Sequence, residues 1–155
     1  HFLESVSLWF GTFEFNASFY YIFRWIGFQL VGWNAIAIIA KILALLIVTF
    51  IIYLSVFKSI KDYQKILVLL LIAVTFYFFF STTVHPWYIA TPLLLSVFTK
   101  NRFVILWSFL VILSYAAYQT DVYKENLWLV VLEYGIVFIY FAWELVYQKK
   151  YFLNT

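Results

Sequence analysis

The stretch FNASFYYIFR, residues 15–24, spaces Asn16, Tyr20 and Arg24 four residues apart. On a helix such a series falls on one face. That face carries an amide, a phenol and a guanidinium, with Ser18, Tyr21 and Trp25 on a neighbouring stripe. A guanidinium meets a phosphate in a fork that an ammonium cannot match. The chemistry to which this face is suited is therefore the binding of a lipid phosphate or a sugar. The same spacing suits a plainer role, an interfacial helix whose arginine snorkels to lipid headgroups. Asn16-Ala17-Ser18 also matches the N-glycosylation acceptor, a tripeptide that is common by chance.

A second group lies at VHPWY, residues 84–88, within the polar break STTVHPWYIATP. The break holds His85, one of two histidines, and both prolines, Pro86 and Pro92. An imidazole can donate to a phosphate or a sugar hydroxyl near neutral pH. The prolines restrict the backbone around it, and Trp87 and Tyr88 offer aromatic surface. The plainer reading is a turn with an interfacial tryptophan. The other histidine is His1, and no HExxH-like spacing is present, so the sequence offers no metal set.

A third feature is a pair of charges inside apolar runs. Lys41 lies six residues into the run 35–57, and Glu133 six residues into the run 127–147. Charges in hydrocarbon pair with one another or face a cavity. The two stand at similar depth, ~9 Å along the axis, so a Lys41–Glu133 pair or a shared polar cavity is expected. Snorkelling is the alternative. Glu144, near the other end of the last run, is expected to reach water.

The elements that must position these residues follow from composition. The 155 residues are 66% hydrophobic, 25% aromatic and 11% charged, whereas a soluble domain is about 25% charged. No soluble fold of this size hides so much apolar surface. The class expected is an all-α, polytopic integral membrane protein. Phe, Tyr, Ile, Lys and Asn are abundant together, as an AT-rich coding bias produces. There are no cysteines, which excludes disulfides and thiolate chemistry. The net charge of +3 is spread between apolar runs, a membrane-topology pattern rather than a nucleic-acid surface. The chain lacks methionine and opens on His1 within an apolar pattern, so it reads as part of a longer protein.

Five spans are expected, near 35–57, 66–83, 86–98, 103–118 and 127–147. Together they make a transmembrane bundle over 35–155. Asn34 and Asn101 are placed to cap the first and fourth, Pro86 suits a first helical turn, and Pro92 implies a kink. Residues 1–34, interrupted by Glu14, Asn16, Arg24 and Gln29, read as a helix in the outer interface starting near Asn16. A sixth span with Arg24 facing protein is the alternative. If all five segments cross, Lys58, Lys61, Lys65, Lys100, Arg102, Lys149 and Lys150 fall on one side and only Arg24 and Lys124 on the other. The basic side, with the C-terminus, is then cytoplasmic, and the His85 corner lies outside with the Asn16–Arg24 face.

FEFNASFYYIFRWIGF, the long span after it, the lysine-rich loop, TVHPWYIATPLLL and YKENLWLVVLEY together resemble the C-terminal part of bacterial GT-C-type glycosyltransferases. These are the mannosyltransferase-like membrane enzymes that use polyprenyl-phosphate sugars. FNASFYYIFR and HPWY carry the resemblance most specifically. It implies an outer-face site in a bacterial inner membrane, a lipid-linked sugar donor and a glycan or glycolipid acceptor. It implies a catalytic acid in the N-terminal half of the same protein, no catalytic residue in these 155 residues, and therefore no activity from them alone. No cofactor is implied beyond the donor. Asn16, Tyr20, Arg24, His85, Trp87 and Tyr88 become the expected substrate-binding residues, with Arg24 and His85 at the leaving phosphate. Two rival classes remain open: a transporter or flippase half, which predicts an inverted repeat, and a non-catalytic membrane scaffold.

Overall fold

Hydrophobic periodicity resolves into helices whose ends are set by backbone restriction. In the computed structural model of the protein, residues 13–58, 62–119 and 124–152 are described, with side chains up to 146. The chain forms two compact units, His1–Val84 and His85–Thr155.

In the first unit, α1 spans Phe19–Val31, α2 Ile36–Phe57 and α3 Tyr63–Phe80. Helix α1 starts three residues later than the sequence suggests. Asn16 sits at φ 46°, a left-handed conformation that an α-helix excludes and that asparagine tolerates. Asn16 is therefore off the helical face expected for it, while Tyr20 and Arg24 keep their i, i+4 relation. Gly32, at φ 75°, ends α1 by donating its N–H to the Phe28 carbonyl at 3.0 Å, a left-handed cap that glycine adopts without steric cost. Asn34 does not cap α2. Ala35 holds that position with no side-chain bond, because the Asn34 amide is engaged elsewhere. Asp62 caps α3, accepting from the Lys65 N–H at 2.7 Å.

Helix α3 stops at Phe80, so residues 81–83 of the expected span 66–83 are not helical. Ser81 is extended at φ −74°, ψ 150°. The β-branched run Thr82, Thr83, Val84 favours extension, and the residue before Pro86 is kept from the α region. This extended piece pairs in parallel with Phe15. The Phe15 N–H donates to the Thr82 carbonyl at 3.1 Å, and the Val84 N–H to the Phe15 carbonyl at 2.8 Å. Ala17, Tyr20 and Leu43 form a buried cluster lined by Ile39 and Phe80, and Phe50 stacks on Phe76 at 3.9 Å between α2 and α3.

In the second unit, a 3₁₀ turn Pro86–Ile89 leads into α4, Ala90–Val97. Pro86 stands in the first turn as expected. Pro92 is buried in the first turn of α4, where no N–H is needed, so the irregularity takes the form of a 3₁₀-to-α change ahead of it. Helix α5, Phe103–Leu110, continues as a 3₁₀ segment, Val111–Tyr118, and α6 runs Leu127–Phe152. Helices α5 and α6 are antiparallel: Phe103 meets Phe141 at 4.6 Å and Trp107 meets Tyr134 at 6.0 Å. The buried residues of this strip, Val104, Trp107, Val111, Ser114 and Ala117, change from mixed three- and four-residue spacing to threes where the winding tightens, as the 3₁₀ period demands.

Among the described residues, three helices are long and apolar enough to cross a membrane: Ile36–Phe57, Tyr63–Phe80 and Leu127–Val146. At ~1.5 Å per residue they reach ~33, ~27 and ~30 Å, the thickness of a hydrocarbon core. The other two expected segments are shorter helices, Pro86–Val97 and Phe103–Tyr118. The second of these gains length from its 3₁₀ half, reaching ~28 Å where an α-helix would reach ~24 Å. Pro86–Val97 reaches ~20 Å, well short of a ~30 Å core.

Asn101 does not cap α5. Arg102 holds the N-cap position, and the carboxylate of Glu144, from α6, accepts the backbone N–H groups of Arg102 at 2.6 Å and Phe103 at 3.2 Å. Glu144 is buried rather than turned to water as expected. A carboxylate at a helix N-terminus neutralises its free donors and the positive end of its dipole. Replacing Glu144 with Ala leaves two inward donors unmet, and the second unit is expected to lose about 1–3 kcal/mol. Glu144→Gln, which retains one acceptor, is expected to lose less. Reversible denaturant titration in bicelles checks the order wild type, Gln, Ala.

Candidate polar site at the entry to the bundle

Within the first unit, the bridge of Phe15 to Thr83 fixes residues 13–18 against the chain that leads into His85. The Thr83 hydroxyl adds a bond to the Phe13 carbonyl at 3.1 Å. The bridge sets Glu14 over α1 and the start of α2. Glu14 Oε2 accepts from Arg24 at 2.6 Å, and Oε1 accepts from the Asn34 amide at 2.8 Å. The Asn34 carbonyl accepts from the Tyr20 hydroxyl at 3.4 Å. The Arg24 guanidinium also lies 4.5 Å over the Tyr21 ring, a cation–π contact. Four side chains from three separate stretches thus make one connected network. Burial, then the Glu14 charge, push the Tyr20 phenol above its usual range; it stays protonated and serves as a donor.

Of the expected residues in this unit, Tyr20 and Arg24 belong to the network. Asn16 is fully buried in the turn beneath it, not on the α1 face. Glu14 and Asn34 are members that helical spacing did not reveal. Glu14 lies ten residues before Arg24 and reaches it only because the chain turns at Asn16. Gly27 packs against Ile39, where a Cβ would stand 3.2 Å from the Ile39 side chain, so α1 lies close on α2 and Asn34 can reach back.

In the second unit, His85, Trp87 and Tyr88 do gather. His85 stacks on Trp87 at 4.3 Å and 6°, and Tyr88 meets His85 edge-on at 5.3 Å. His85 is buried, while Trp87 is exposed and presents indole surface to its surroundings. Burial lowers the His85 pKa below its ordinary value, so at neutral pH the ring is an uncharged donor and acceptor.

Lys41 is exposed on α2. Glu133 is fully buried in the second unit and accepts from the Trp107 indole N–H at 3.1 Å. Trp107 was not among the expected polar partners, since nothing in its sequence position separates it from other apolar-run tryptophans. A cavity of ≈ 10 Å³ beside Ser114 and Asn126 has room for about one water and cannot take a sugar. Among the described residues, no three His, Asp or Glu side chains converge as metal ligands.

The depressed His85 pKa has a definite sign. Below the unfolded value of ~6.5, the unfolded chain binds a proton that the folded chain resists. The stability contributed by neutral His85 is present above that pH and declines as pH falls toward the folded value. Histidine-selective NMR, with His85→Gln to separate His1, is expected to place the His85 midpoint below ~6.5. Compared with known protein families, curated proteins and solved structures, the chain matches none.

Proposed function

We propose that these residues form the membrane-embedded, lipid-phosphate-binding part of a glycosyltransferase. It would move a sugar, mannose being one candidate, from a polyprenyl phosphate to a glycan or glycolipid at the outer face of a bacterial inner membrane. The observation that supports this reading is the backbone pairing of Phe15 with residues 82–84. It draws together the FNASFYYIFR stretch and the chain entering HPWY, the two pieces on which the GT-C resemblance rests, across 68 positions of sequence. The tie fixes the FNASFYYIFR stretch against residues 82–84 within the first unit.

In this reading Arg24 meets the phosphate and offsets the charge that builds as the sugar leaves. His85, neutral, donates a hydrogen bond to a phosphate or a sugar hydroxyl. Trp87 presents its exposed face to the sugar ring, while Tyr20 and Tyr88 limit where ring and phosphate sit. Asn16 acts indirectly, by shaping the turn that places Glu14. The catalytic acid and the acceptor site belong to other parts of the protein.

In membranes carrying the whole protein, Arg24→Ala and His85→Ala are each expected to lower kcat/KM for sugar transfer from a polyprenyl-phosphate donor by tenfold or more. If both variants stay within about twofold of wild type, neither group stabilises the transition state. Orientation has its own check. These 155 residues contain no cysteine, so a single cysteine introduced among them, in a background with no other cysteine, reports its own position. One at Lys100 is expected to react with an impermeant maleimide only from the cytoplasmic side, and one at Lys124 only from outside.

A further inference from the structure

A helix lying in the plane of the membrane interface needs a charged or polar face for the water side. Helix α1 has no such face. Phe28, Trp25, Ile22, Ile26 and Leu30 follow one another around about 200° of the helix, and all are exposed. Within that arc the one polar side chain is Gln29, close to the end of the helix. The charge, Arg24, lies on the other side and is bonded to Glu14 at 2.6 Å. The neighbouring helices show how deep α1 sits. Leu43, ~10 Å inside the start of α2, shares a buried cluster with Tyr20. Ile39, one turn nearer that start, stands against Gly27. Helix α1 is therefore deeper at its first turn than at its last. Phe80, where α3 ends, packs on the same cluster and stacks on Phe19 at 4.7 Å. So α3 stops ~10 Å short of the level at which α2 begins, and α1 packs over its end.

We infer that α1 is a submerged helix, tilted into the leaflet that holds the start of α2, with its uncovered face against lipid acyl chains. The inference goes beyond the proposed function and is independent of the transfer chemistry, since it concerns only how α1 meets the membrane. The polar tips of the helix rise out of this depth. The Tyr20 hydroxyl bonds to Asn34, and Arg24 connects to Asn34 through Glu14. Asn34 stands just before α2, at the edge of the apolar layer. The long Arg24 side chain thus carries its charge up to that edge, where Glu14 neutralises it. A charge left in hydrocarbon is costly, and here none of the α1 network is left there. The network also fixes the depth of the helix. Sinking α1 further takes the ion pair into hydrocarbon, and lifting it exposes the apolar arc to water. Trp33, exposed beside Asn34, suits the same headgroup level.

Spin labelling of the whole protein in phosphatidylcholine–phosphatidylglycerol vesicles tests this. Single cysteines replace Ile22, Ile26 and Leu30 in a background with no other cysteine, and each carries a nitroxide. Power saturation compares the access of oxygen, which concentrates in hydrocarbon, with that of a water-soluble nickel chelate. All three labels are expected to favour oxygen. The Ile22 label is expected to lie about 5 Å deeper than the Leu30 label, the scale of the turn that separates Leu43 from Ile39 on α2. A helix in the interface plane holds the three labels at one depth. Equal depths, or ready access of nickel to the Ile22 label, overturn the inference. Low access of both reagents to all three labels means that a protein segment covers the face, and overturns it as well. Where a labelled variant fails to fold, the unlabelled protein in bicelles serves for a second measurement. A water-soluble gadolinium chelate is expected to broaden the Leu30 methyl resonances more than those of Ile22, and equal broadening counts against a submerged α1.

Discussion

A chain this apolar has little water to hydrogen-bond its interior, and that constraint organises the polar groups. A group that cannot reach solvent must find a partner within the protein. Three of the described acidic residues show how. Glu144 takes the free N–H groups at the start of α5, Glu133 takes the Trp107 indole, and Glu14 takes Arg24 and Asn34. On α6 the consequence reverses soluble-protein habit. Glu133 and Glu144 lie on the buried stripe with Val130 and Val137, while Val131, Leu132, Ile139 and Val146 face outward. Polar contacts inside hydrocarbon contribute modestly one by one, but a missing partner is costly, so each acid fixes a register between the elements that share it.

The tie between Phe15 and Thr83 serves the same constraint in the backbone. An extended stretch beside apolar helices has no internal partners for its N–H and C=O groups. Pairing two such stretches satisfies both. It also places Glu14, the residue between Phe13 and Phe15, within reach of Arg24 and Asn34. Local chemistry is set by which extended pieces need each other, not by which helical faces are amphipathic. The ion pair that results is half-open to solvent, where charges can still exchange partners.

The short segments show how length and winding interact. Phe103–Tyr118 has too few residues for a comfortable α-helical span, and half of it is wound as 3₁₀, which adds about half an ångström per residue. Pro86–Val97 opens in the same way but remains short. The 3₁₀ stretch also brings Val111, Ser114 and Ala117 into line, so extra length and a straight buried seam come from one change in winding.

Composition and hydrophobic runs alone determined that the chain is helical, that it contains membrane-length spans, and where their approximate limits fall, because burial in lipid requires long uninterrupted apolar stretches. They also singled out Tyr20 and Arg24, whose helical spacing holds, and His85 with Trp87 and Tyr88, which are sequence neighbours. Tertiary structure decided the rest. Asn16 left the helix because its backbone turns left-handed, Asn34 is engaged with Glu14 and Tyr20 instead of capping, and at Asn101 the Glu144 carboxylate takes the helix start. Glu14 joined Arg24 across ten residues, and Glu144 reached a helix start 42 positions away. Periodicity describes one helix at a time, whereas a buried polar group is satisfied by whichever donor the packing delivers, and that donor belongs to another segment of the chain.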